Sequence, residues 1–143
     1  MSRYIFSIIF VLTALHVFAE DSAPNSPSVA KDSRFFELRT YHAARGKLEA
    51  LNARFRDHTN KIFTKHGMEM IGYWIPMDKD GHYDNTLVYI LAFPSHEARD
   101  KSWKEFSADP EWQEVKKNSE LNGKLVEKVD SVFMTATDYS PIK

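Results

Sequence analysis

The chain contains no cysteine among its 143 residues. This absence excludes disulfide bonds, catalysis by a thiol nucleophile and metal sites built from thiolates. It also excludes a lipid-anchored lipoprotein, because such a protein needs a cysteine at its cleavage site. Stability must therefore come from packing, and the ten Phe, six Tyr and three Trp indicate a large core or a ring-lined pocket.

An excess of either charge is also lacking. The chain has 19 Lys and Arg against 20 Asp and Glu, and no patch of one sign stands out. Neither nucleic acid nor an anionic membrane surface is therefore expected as a partner. The sequence also has no phosphate-cradling glycine loop, no nucleophile elbow and no His-Glu-x-x-His zinc motif. We expect no metal site and no cofactor.

Charge is almost absent from the first nineteen residues, where Arg3 is the only charged side chain. Tyr4 to Ala19 is nearly all apolar, and Val17 and Ala19 present short side chains where a signal peptidase reads them. The alternative is an uncleaved anchor, but these sixteen residues are short for a span of about twenty. We predict a signal peptide over residues 1–19, cleaved before Glu20. The mature protein is then secreted or periplasmic, with no membrane attachment.

A polar spacer follows the predicted signal peptide. Residues 21–32 contain two prolines and three serines. Such a segment buries too little apolar surface to offset the entropy lost on ordering. Residues 20–33 are therefore predicted to be a flexible linker, and residues 34–143 to be one domain with a single core.

The longest helical pattern begins after Gly46 and stops at Gly67. Its apolar and histidine positions recur at steps of three or four residues, which places them in one stripe along a helix. These positions are Leu48, Leu51, Phe55, His58, Ile62 and His66. We predict a single helix whose stripe, including both histidines, points at a sheet.

Strand patterns surround this helix and two further helices. Residues 35–41, 68–76, 86–93 and 125–137 are predicted strands. A second helix follows Ser95, and a third starts at Asp109 and Pro110. The hairpin loop at 78–85 lacks the closing Glu of a calcium loop, so we interpret it as a solvated turn. The order β-α-β-β-α(α)-β predicts an α+β, ferredoxin-like βαββαβ fold with an antiparallel sheet.

Helices of such a fold cover only one face of the sheet. The uncovered face is expected to include Phe35, Tyr41 and side chains from residues 68–76. A large exposed apolar face is typical of an interface between proteins. We therefore expect a homodimer in which two sheets pack face to face as a dimeric α/β barrel.

Five short motifs in the domain resemble the NIPSNAP family in their order and spacing. They are Glu37-Leu38-Arg39-Thr40-Tyr41, Gly46-Lys47, His66-Gly67 with Gly72-Tyr73-Trp74, Ala98-Arg99-Asp100 with Trp103 and Phe106, and Asp109-Pro110-Glu111-Trp112. The resemblance covers residues 34–141, including the tail from Thr137 to Pro141. It implies the dimeric α+β barrel superfamily, which agrees with the predicted homodimer.

The resemblance implies much less about chemistry. Superfamily relatives include cofactor-free monooxygenases, haem-handling enzymes, lactone isomerases and non-catalytic stress proteins, so the fold does not fix a function. Eukaryotic NIPSNAP proteins are linked to mitochondria and to vesicle or mitophagy signalling through partner binding. This chain has a predicted secretory signal in place of an Arg/Ser-rich transit peptide, so a mitochondrial role is not expected.

His58 and His66 are the first candidates for chemistry, because both occupy the predicted inward stripe. Their spacing of eight residues corresponds to about 12 Å along a helix, too far for one shared metal ion. His58 is a candidate general base or single haem ligand. The alternatives are a hydrogen-bonded core position for His58 and a helix-end cap for His66.

Arg99 is unusual because it lies near the start of a helix, where the helix dipole disfavours a cation. A guanidinium on the inner side of a helix needs a carboxylate, an aromatic face or a bound anion. One interpretation is a salt bridge to Glu37 or Glu120 with stacking on Trp103. The other interpretation is an anion-binding role.

Aromatic side chains could line a pocket around Arg99. Ring-lined cavities suit planar ligands, although such rings more often belong to a core. The candidate binding residues are Tyr41, His66, Trp74, Tyr89, Arg99 and Trp103.

Two functions are consistent with these observations. The first is a small-molecule-binding or scaffolding homodimer with a ring-lined pocket for a hydrophobic ligand. The second is a cofactor-independent monooxygenase or isomerase acting on a hydrophobic planar substrate, with His58 as base and Arg99 holding an anionic oxygen. The two differ in His58, since a catalytic base needs access to the pocket and a core histidine does not.

Overall fold

A computed structural model gives the structure of the protein and describes residues 26–77 and 84–143. The predicted signal peptide and the first part of the predicted linker lie outside these ranges, as does most of the predicted hairpin loop. Within the two described ranges, no helix combines the length and the apolar composition needed to cross a membrane.

The described residues form four strands and four α-helices. Their order is β1 (Phe35–Ala43), α1 (Leu48–Arg54), α2 (Asn60–Lys65), β2 (Glu69–Trp74), β3 (Thr86–Phe93), α3 (His96–Ala108), α4 (Pro110–Ser119) and β4 (Val126–Thr135). The paired strands are antiparallel, and the sheet order is β2-β3-β1-β4. The predicted α+β, ferredoxin-like βαββαβ fold is confirmed.

Two of the helices begin at the capping residues that the sequence indicates. Ser95 Oγ accepts a hydrogen bond of 3.2 Å from the backbone N–H of Ala98 at the start of α3. Asp109 Oδ1 accepts one of 2.8 Å from the N–H of Glu111, and Pro110 opens α4. These side chains pair N–H groups that have no partner within the helix. Both predicted helix starts are confirmed.

The core lies between the sheet and the helices and is rich in aromatic rings. Tyr89 of β3 is at its centre, with the rings of Tyr41, Phe55 and Tyr73 at centroid distances of 5.2, 5.3 and 5.4 Å. Burial of each large apolar side chain stabilises the fold by about 1.5–3 kcal/mol. The rings therefore join three strands and the first helical segment, residues 48–65, into one layer.

The first helical segment is not one continuous α-helix. A π-helical turn, Phe55–Thr59, joins α1 to α2. A π-helical turn bonds residues five apart, and the Thr59 hydroxyl donates to the carbonyl of Arg54 at 3.2 Å. The extra residue rotates the stripe, so that Thr59 is buried and His58 is exposed. The prediction that His58 points at the sheet is wrong.

The residues of β1 alternate between the two faces of the sheet. Tyr41 packs against Phe55 with ring centroids 5.8 Å apart, so the odd-numbered residues of β1 face the helices. Leu38 and Thr40 consequently face the other way. The prediction that Phe35 and Tyr41 lie on the uncovered face is wrong, because a shift of one position exchanges the two faces of a strand.

The face of the sheet without helices, here called the open face, has an apolar centre. The half-exposed Trp74 of β2 lies against Gly72, where an added Cβ would approach the ring to 2.7 Å. Glycine at position 72 therefore lets the indole lie close to the sheet. The apolar residues at the centre of the open face are Leu38, Val88, Ile90, Val132 and Trp74, and Phe36, Ala92 and Met134 lie on the same face toward its end.

The segment before β1 differs from the predicted flexible linker. Val29 forms an antiparallel bridge with Thr137, which follows β4. The N–H of Asp138 donates to the carbonyl of Ser28 at 2.8 Å, and Ala30 is buried. Residues 28–30 are an N-terminal strap. Its backbone groups find partners beyond the end of an edge strand, which compensates for the low apolar content of the segment.

Candidate functional site

A carboxylate, Glu37 of β1, is completely buried beneath α3. Arg99 holds it with two hydrogen bonds, from Nε to Oε2 at 2.9 Å and from Nη2 to Oε1 at 2.7 Å. Trp103 Nε1 donates to Oε2 at 2.8 Å, and Arg39 Nη1 donates to Oε1 at 2.5 Å. These four side chains form the Glu37 cluster, in which each hydrogen bond to the carboxylate is charge-assisted.

Two short-range periodicities bring the Glu37 cluster together. Glu37 and Arg39 are two positions apart on β1 and share its helix-facing side. Arg99 and Trp103 are four apart on α3 and share one side of that helix. The salt bridge from Arg99 to Glu37 is confirmed, and Arg99 Cζ lies 5.9 Å from the Trp103 ring centre. Glu120, the other partner considered, pairs with Arg54.

The surroundings of Glu37 fix its ionisation state. Burial alone raises the pKa of Glu37, because it disfavours the charged form. The hydrogen bonds from Arg99 and Trp103 and the charge of Arg39 outweigh burial and lower the pKa from 4.5 to about 2. At neutral pH, Glu37 is therefore an ionised anchor for two guanidinium groups and unsuited to act as a general acid.

Arg39 lies between two aromatic rings and two hydrogen-bond acceptors. Its Cζ is 4.2 Å from the centre of the Trp103 ring and 5.5 Å from that of Tyr41. Its Nη1 also donates to Ser131 Oγ on β4 at 3.1 Å. Its Nε is buried and makes no hydrogen bond of ordinary geometry to the described residues. The guanidinium is thus held between two rings and two hydrogen-bond acceptors, and it also interacts with the Tyr89 hydroxyl.

Tyr89 holds a second buried polar group, directly opposite Arg39 in the pairing of β1 with β3. Tyr89 is completely buried, and its hydroxyl makes no hydrogen bond of ordinary geometry within the described chain. Burial raises the pKa of Tyr89 well above its ordinary value, so the hydroxyl keeps its proton. A buried polar group left unpaired costs about 1–3 kcal/mol. The Tyr89 hydroxyl interacts with the side chains of Tyr41 and Arg39, and these interactions reduce that cost.

An open cleft of about 300 Å³, here called the Tyr41 cleft, lies between α4 and β4. Tyr41 and its strand neighbour Val129 line it from the sheet, and Trp112 lines it from α4. The Tyr41 ring is 5.2 Å from the Tyr89 ring and 5.5 Å from Arg39 Cζ. Tyr41 therefore lines the cleft and also contacts the buried ring of Tyr89. The charged lining residues are Arg54, Lys116, Glu120, Lys124, Glu127 and Lys128.

The structure brings together four of the six predicted binding residues: Tyr41, Tyr89, Arg99 and Trp103. His66 lies apart from them at the end of α2, where its Nε2 is 2.7 Å from Asp109 Oδ2 at the start of α4. It therefore links two helices, in keeping with the helix-end alternative. Trp74 packs over Gly72 at the open face and also lines a separate cleft of about 310 Å³ with Phe55 and Tyr73.

His58 lies in a different cleft, of about 480 Å³, between the first helical segment and α4. Its neighbours there include Asp57, Glu111 and Glu114. This placement corrects the interpretation of His58 as a base in the ring-lined pocket, and the monooxygenase or isomerase hypothesis loses the base on which it depended. In residues 26–77 and 84–143, no three His, Asp or Glu side chains lie close enough to hold a metal ion.

Sequence reasoning missed Arg39 and Ser131. For Arg39 a signal was present, because it lies two residues after Glu37 and two before Tyr41 on an alternating strand. For Ser131 the sequence contains no comparable pattern. Its contact with Arg39 joins residues 92 positions apart and depends on the register of β4 against β1.

An antiparallel sheet in the order β2-β3-β1-β4, with helices on one face, defines the ferredoxin-like class of α+β domains. Within that class, the sequence model of the NIPSNAP family matches residues 36–141. The chain belongs to the NIPSNAP family.

Solved structures of NIPSNAP proteins are similar to this chain. A NIPSNAP family protein with unknown function from Agrobacterium tumefaciens is 25% identical, with a TM-score of 0.70 over 81% of this chain and 99% of that one. An uncharacterised NIPSNAP domain protein from Burkholderia xenovorans is 23% identical, with a TM-score of 0.63 over 75% of this chain and 98% of that one. A search of curated proteins finds no match. These neighbours support the fold and name no ligand or reaction.

Proposed function

We propose that this NIPSNAP chain is a small-molecule-binding protein whose ligand occupies the Tyr41 cleft. The observation that carries the proposal is the cleft itself, a concave space of about 300 Å³ in which Tyr41 and Trp112 supply aromatic surface. A concave, ring-lined site with a few polar groups is the usual form of a ligand pocket.

The walls of the Tyr41 cleft suit a small planar molecule. Trp112 is held against Phe106, with ring centroids 4.5 Å apart, and the guanidinium carbon of Arg54 lies 5.1 Å from the Trp112 ring centre. Tyr41 is held edge-on between Phe55 and Tyr89. Rigid aromatic walls favour flat apolar ligands, and the volume of about 300 Å³ suits one or two fused rings.

We propose that the protein is a homodimer joined through the open face. Val132 is 55% exposed and Trp74 is 50% exposed on that face, although both are large apolar side chains. A second copy that packs its own open face against this one would remove both from water. The Tyr41 cleft lies on the helix-covered side, so this dimer would leave it accessible. Sedimentation at micromolar concentration is expected to give a dimer, and a clean monomer would overturn this part of the proposal.

We propose that the protein acts outside the cytoplasm, either secreted or in a periplasm. The support is the apolar run from Tyr4 to Ala19 with short side chains before Glu20. Mass spectrometry of the protein from the exported fraction of its host is expected to find Glu20 at the N-terminus. An exported protein that retains Met1 would contradict the predicted cleavage.

The ligand site is tested by calorimetric titration of the full chain with naphthalene-2-methanol, a neutral planar probe. We expect saturable binding at one site per subunit. Val129→Trp, which puts a large ring into the cleft, should abolish binding. The control Leu121→Trp adds the same ring at a position that is 74% exposed and should bind as the wild type does. No uptake by the wild type, or unchanged uptake by Val129→Trp, would overturn the site.

A further inference from the structure

We infer that α4 is a lid over the Tyr41 cleft, which closes on a bound ligand when Lys116 of α4 forms an ion pair with Glu127 of β4. This inference rests on the proposed function, because it states how the same cleft holds its ligand. Two features of the molecule support it: the uneven attachment of α4 to the domain, and the opposite charges on the two sides of the cleft.

The helix α4 is held loosely along its length. None of its ten residues is buried, although Trp112 and Val115 pack partly against the core. Open space lies on both of its sides, with the Tyr41 cleft toward β4 and the cleft of about 480 Å³ toward the first helical segment. An element with few buried apolar contacts opens at a lower free energy than the rest of a fold. Packing therefore leaves room for α4 to shift toward β4.

The N-terminal end of α4 is anchored firmly. Asp109, which caps this end, has a side chain that is only 4% exposed. Its Oδ2 lies 2.7 Å from Lys65 Nζ and 2.7 Å from His66 Nε2, and its Oδ1 accepts from the N–H of Glu111 at 2.8 Å. Short hydrogen bonds to a carboxylate are among the stronger ones in proteins. They hold the start of α4 against the end of α2.

The C-terminal end of α4 is attached more weakly. The side chain of Glu120 is 20% exposed there, and its Oε1 accepts from Arg54 Nη1 at 3.1 Å and from the N–H of Leu125 at 3.5 Å. The turn that follows contains Gly123, whose φ of +103° lies in the left-handed region. Glycine changes its backbone conformation at little steric cost. A movement of α4 is thus expected to pivot at Asp109 and to be largest near Glu120.

Opposite charges face each other across the cleft near this movable end. Lys116 lines the cleft from α4, and Glu127 lines it from β4. Among the described residues, Lys116 and Glu127 have no ion-pair partner, whereas Lys128 beside them is paired with Asp130 at 2.9 Å. Lys124, on the turn after α4, adds a second cation on the movable side. The open cleft therefore keeps apart two charges that a closed lid would pair.

A ligand would favour the closed position. A flat molecule between Trp112 and Val129 displaces water from the cleft, and the attraction between Lys116 and Glu127 is stronger where water is excluded. A ligand that binds one position of α4 better than the other shifts the population toward it. Because a closed lid must reopen before the ligand can leave, closure slows dissociation.

The first experiment measures how fast naphthalene-2-methanol leaves the cleft, by stopped-flow fluorescence. Lys116→Glu puts like charges on the two sides and is expected to speed release about fivefold. The double variant Lys116→Glu/Glu127→Lys restores the attraction and should return the rate to about the wild-type value. The probe is neutral, so these charges act on α4 and not on the probe. The control Lys117→Glu makes the same charge change outside the lining and should leave the rate unchanged.

The second experiment tests the movement without a ligand, by amide hydrogen exchange. Residues 115–119 of α4 are expected to exchange at least about tenfold faster than residues 102–106 of α3, a helix that buries Ser102 and Phe106. Saturating naphthalene-2-methanol should slow exchange in α4 and leave α3 unchanged. If α4 exchanges as slowly as α3 in the free protein, the lid is wrong whatever the ligand.

The outcomes separate the lid from the proposed function. If the wild type takes up no probe in the calorimeter, the proposed function fails and the lid fails with it. If the probe binds and Lys116→Glu releases it at the wild-type rate, the lid is wrong and the cleft remains a ligand site. Faster release that the double variant does not reverse would overturn the pairing of Lys116 with Glu127. Lys116, Lys117 and Glu127 are all exposed, and thermal unfolding checks that each variant folds.

Discussion

The two faces of the sheet differ in what they bury: the helix-covered face buries a charged group, and the open face leaves apolar side chains exposed. The helix-covered face encloses an ionised Glu37 together with Arg39, and one chain supplies every partner of that carboxylate. The centre of the open face, around Leu38 and Ile90, is aliphatic and has no covering element in the described chain. A buried charge needs several donors in fixed positions, whereas an apolar surface needs only another apolar surface. The charged group is therefore buried on the face where a single chain supplies all of its partners. The apolar surface remains exposed on the face that a second chain would cover in the proposed dimer.

The largest loss of stability is expected on substitution of Glu37, on the covered face. Glu37→Ala leaves Arg39, Arg99 and the Trp103 indole without their shared acceptor, so we expect a loss of about 3–5 kcal/mol in unfolding free energy. Urea denaturation measures the loss. Glu69→Ala is the control, because Glu69 forms an exposed pair with Arg34 that is worth at most about 1 kcal/mol. Equal costs for the two variants would show that the Glu37 cluster does not hold the fold.

The open face is tested by a charge at its centre. Val132→Glu should abolish the proposed dimer while each chain stays folded, because the new carboxylate would be buried without a partner in the interface. The wild-type Tm should rise with protein concentration, with about 2–3 kcal/mol of stabilisation at concentrations well above Kd, and the variant's Tm should not. Leu121→Glu, on an exposed turn, should behave as the wild type does. A variant that still sediments as a dimer would contradict the proposed interface.

The covered face should also respond to acid in a way that the open face does not. The folded-state pKa of Glu37, about 2, lies below its ordinary value of 4.5, so its stabilising effect is fully present above about pH 4.5. That effect is lost as the pH falls through about 2. We expect the urea midpoint of the wild type to fall more steeply between about pH 5 and pH 2 than that of Glu37→Gln. Parallel pH profiles for the two proteins would be incompatible with an ionised Glu37.

The smallest expected effect separates two neighbours in the π-helical turn. His58→Ala should change the unfolding free energy by less than about 0.5 kcal/mol, because His58 is exposed. Thr59→Ala should cost about 1 kcal/mol or more, since Thr59 is buried and donates to the carbonyl of Arg54. Neither should alter binding of naphthalene-2-methanol. Reversed costs would mean that the stripe is not rotated at this turn.

Local patterns were sufficient for the element order and for one contact of the site. The helix starts at Ser95 and Asp109 follow from capping chemistry, and the ion pair from Arg99 to Glu37 follows from the need of an inward cation for an acid. The covered side of β1 was not predictable from β1 itself, because each of its sides contains aromatic and polar residues. The choice depends on Arg99 and Trp103, which lie 62 and 66 residues beyond Glu37.

The position of His58 could not be predicted for a different reason. A stripe with steps of three and four residues assumes α-helical hydrogen bonds throughout. Residues 55–59 form a π-helical turn, and no residue type in this segment predicts such a turn. One extra residue in a turn is enough to exchange a core position for an exposed one.

The N-terminal strap has a mechanical consequence. Two backbone hydrogen bonds fasten it to the chain that follows β4, whereas β1 is paired along its length with β3 and β4. A pulling force on the residues that precede the strap would break these two hydrogen bonds, one after the other, before it acted on the strand pairs of the sheet. The strap would thus detach first under force, while the strand that carries Glu37 and Tyr41 keeps its register.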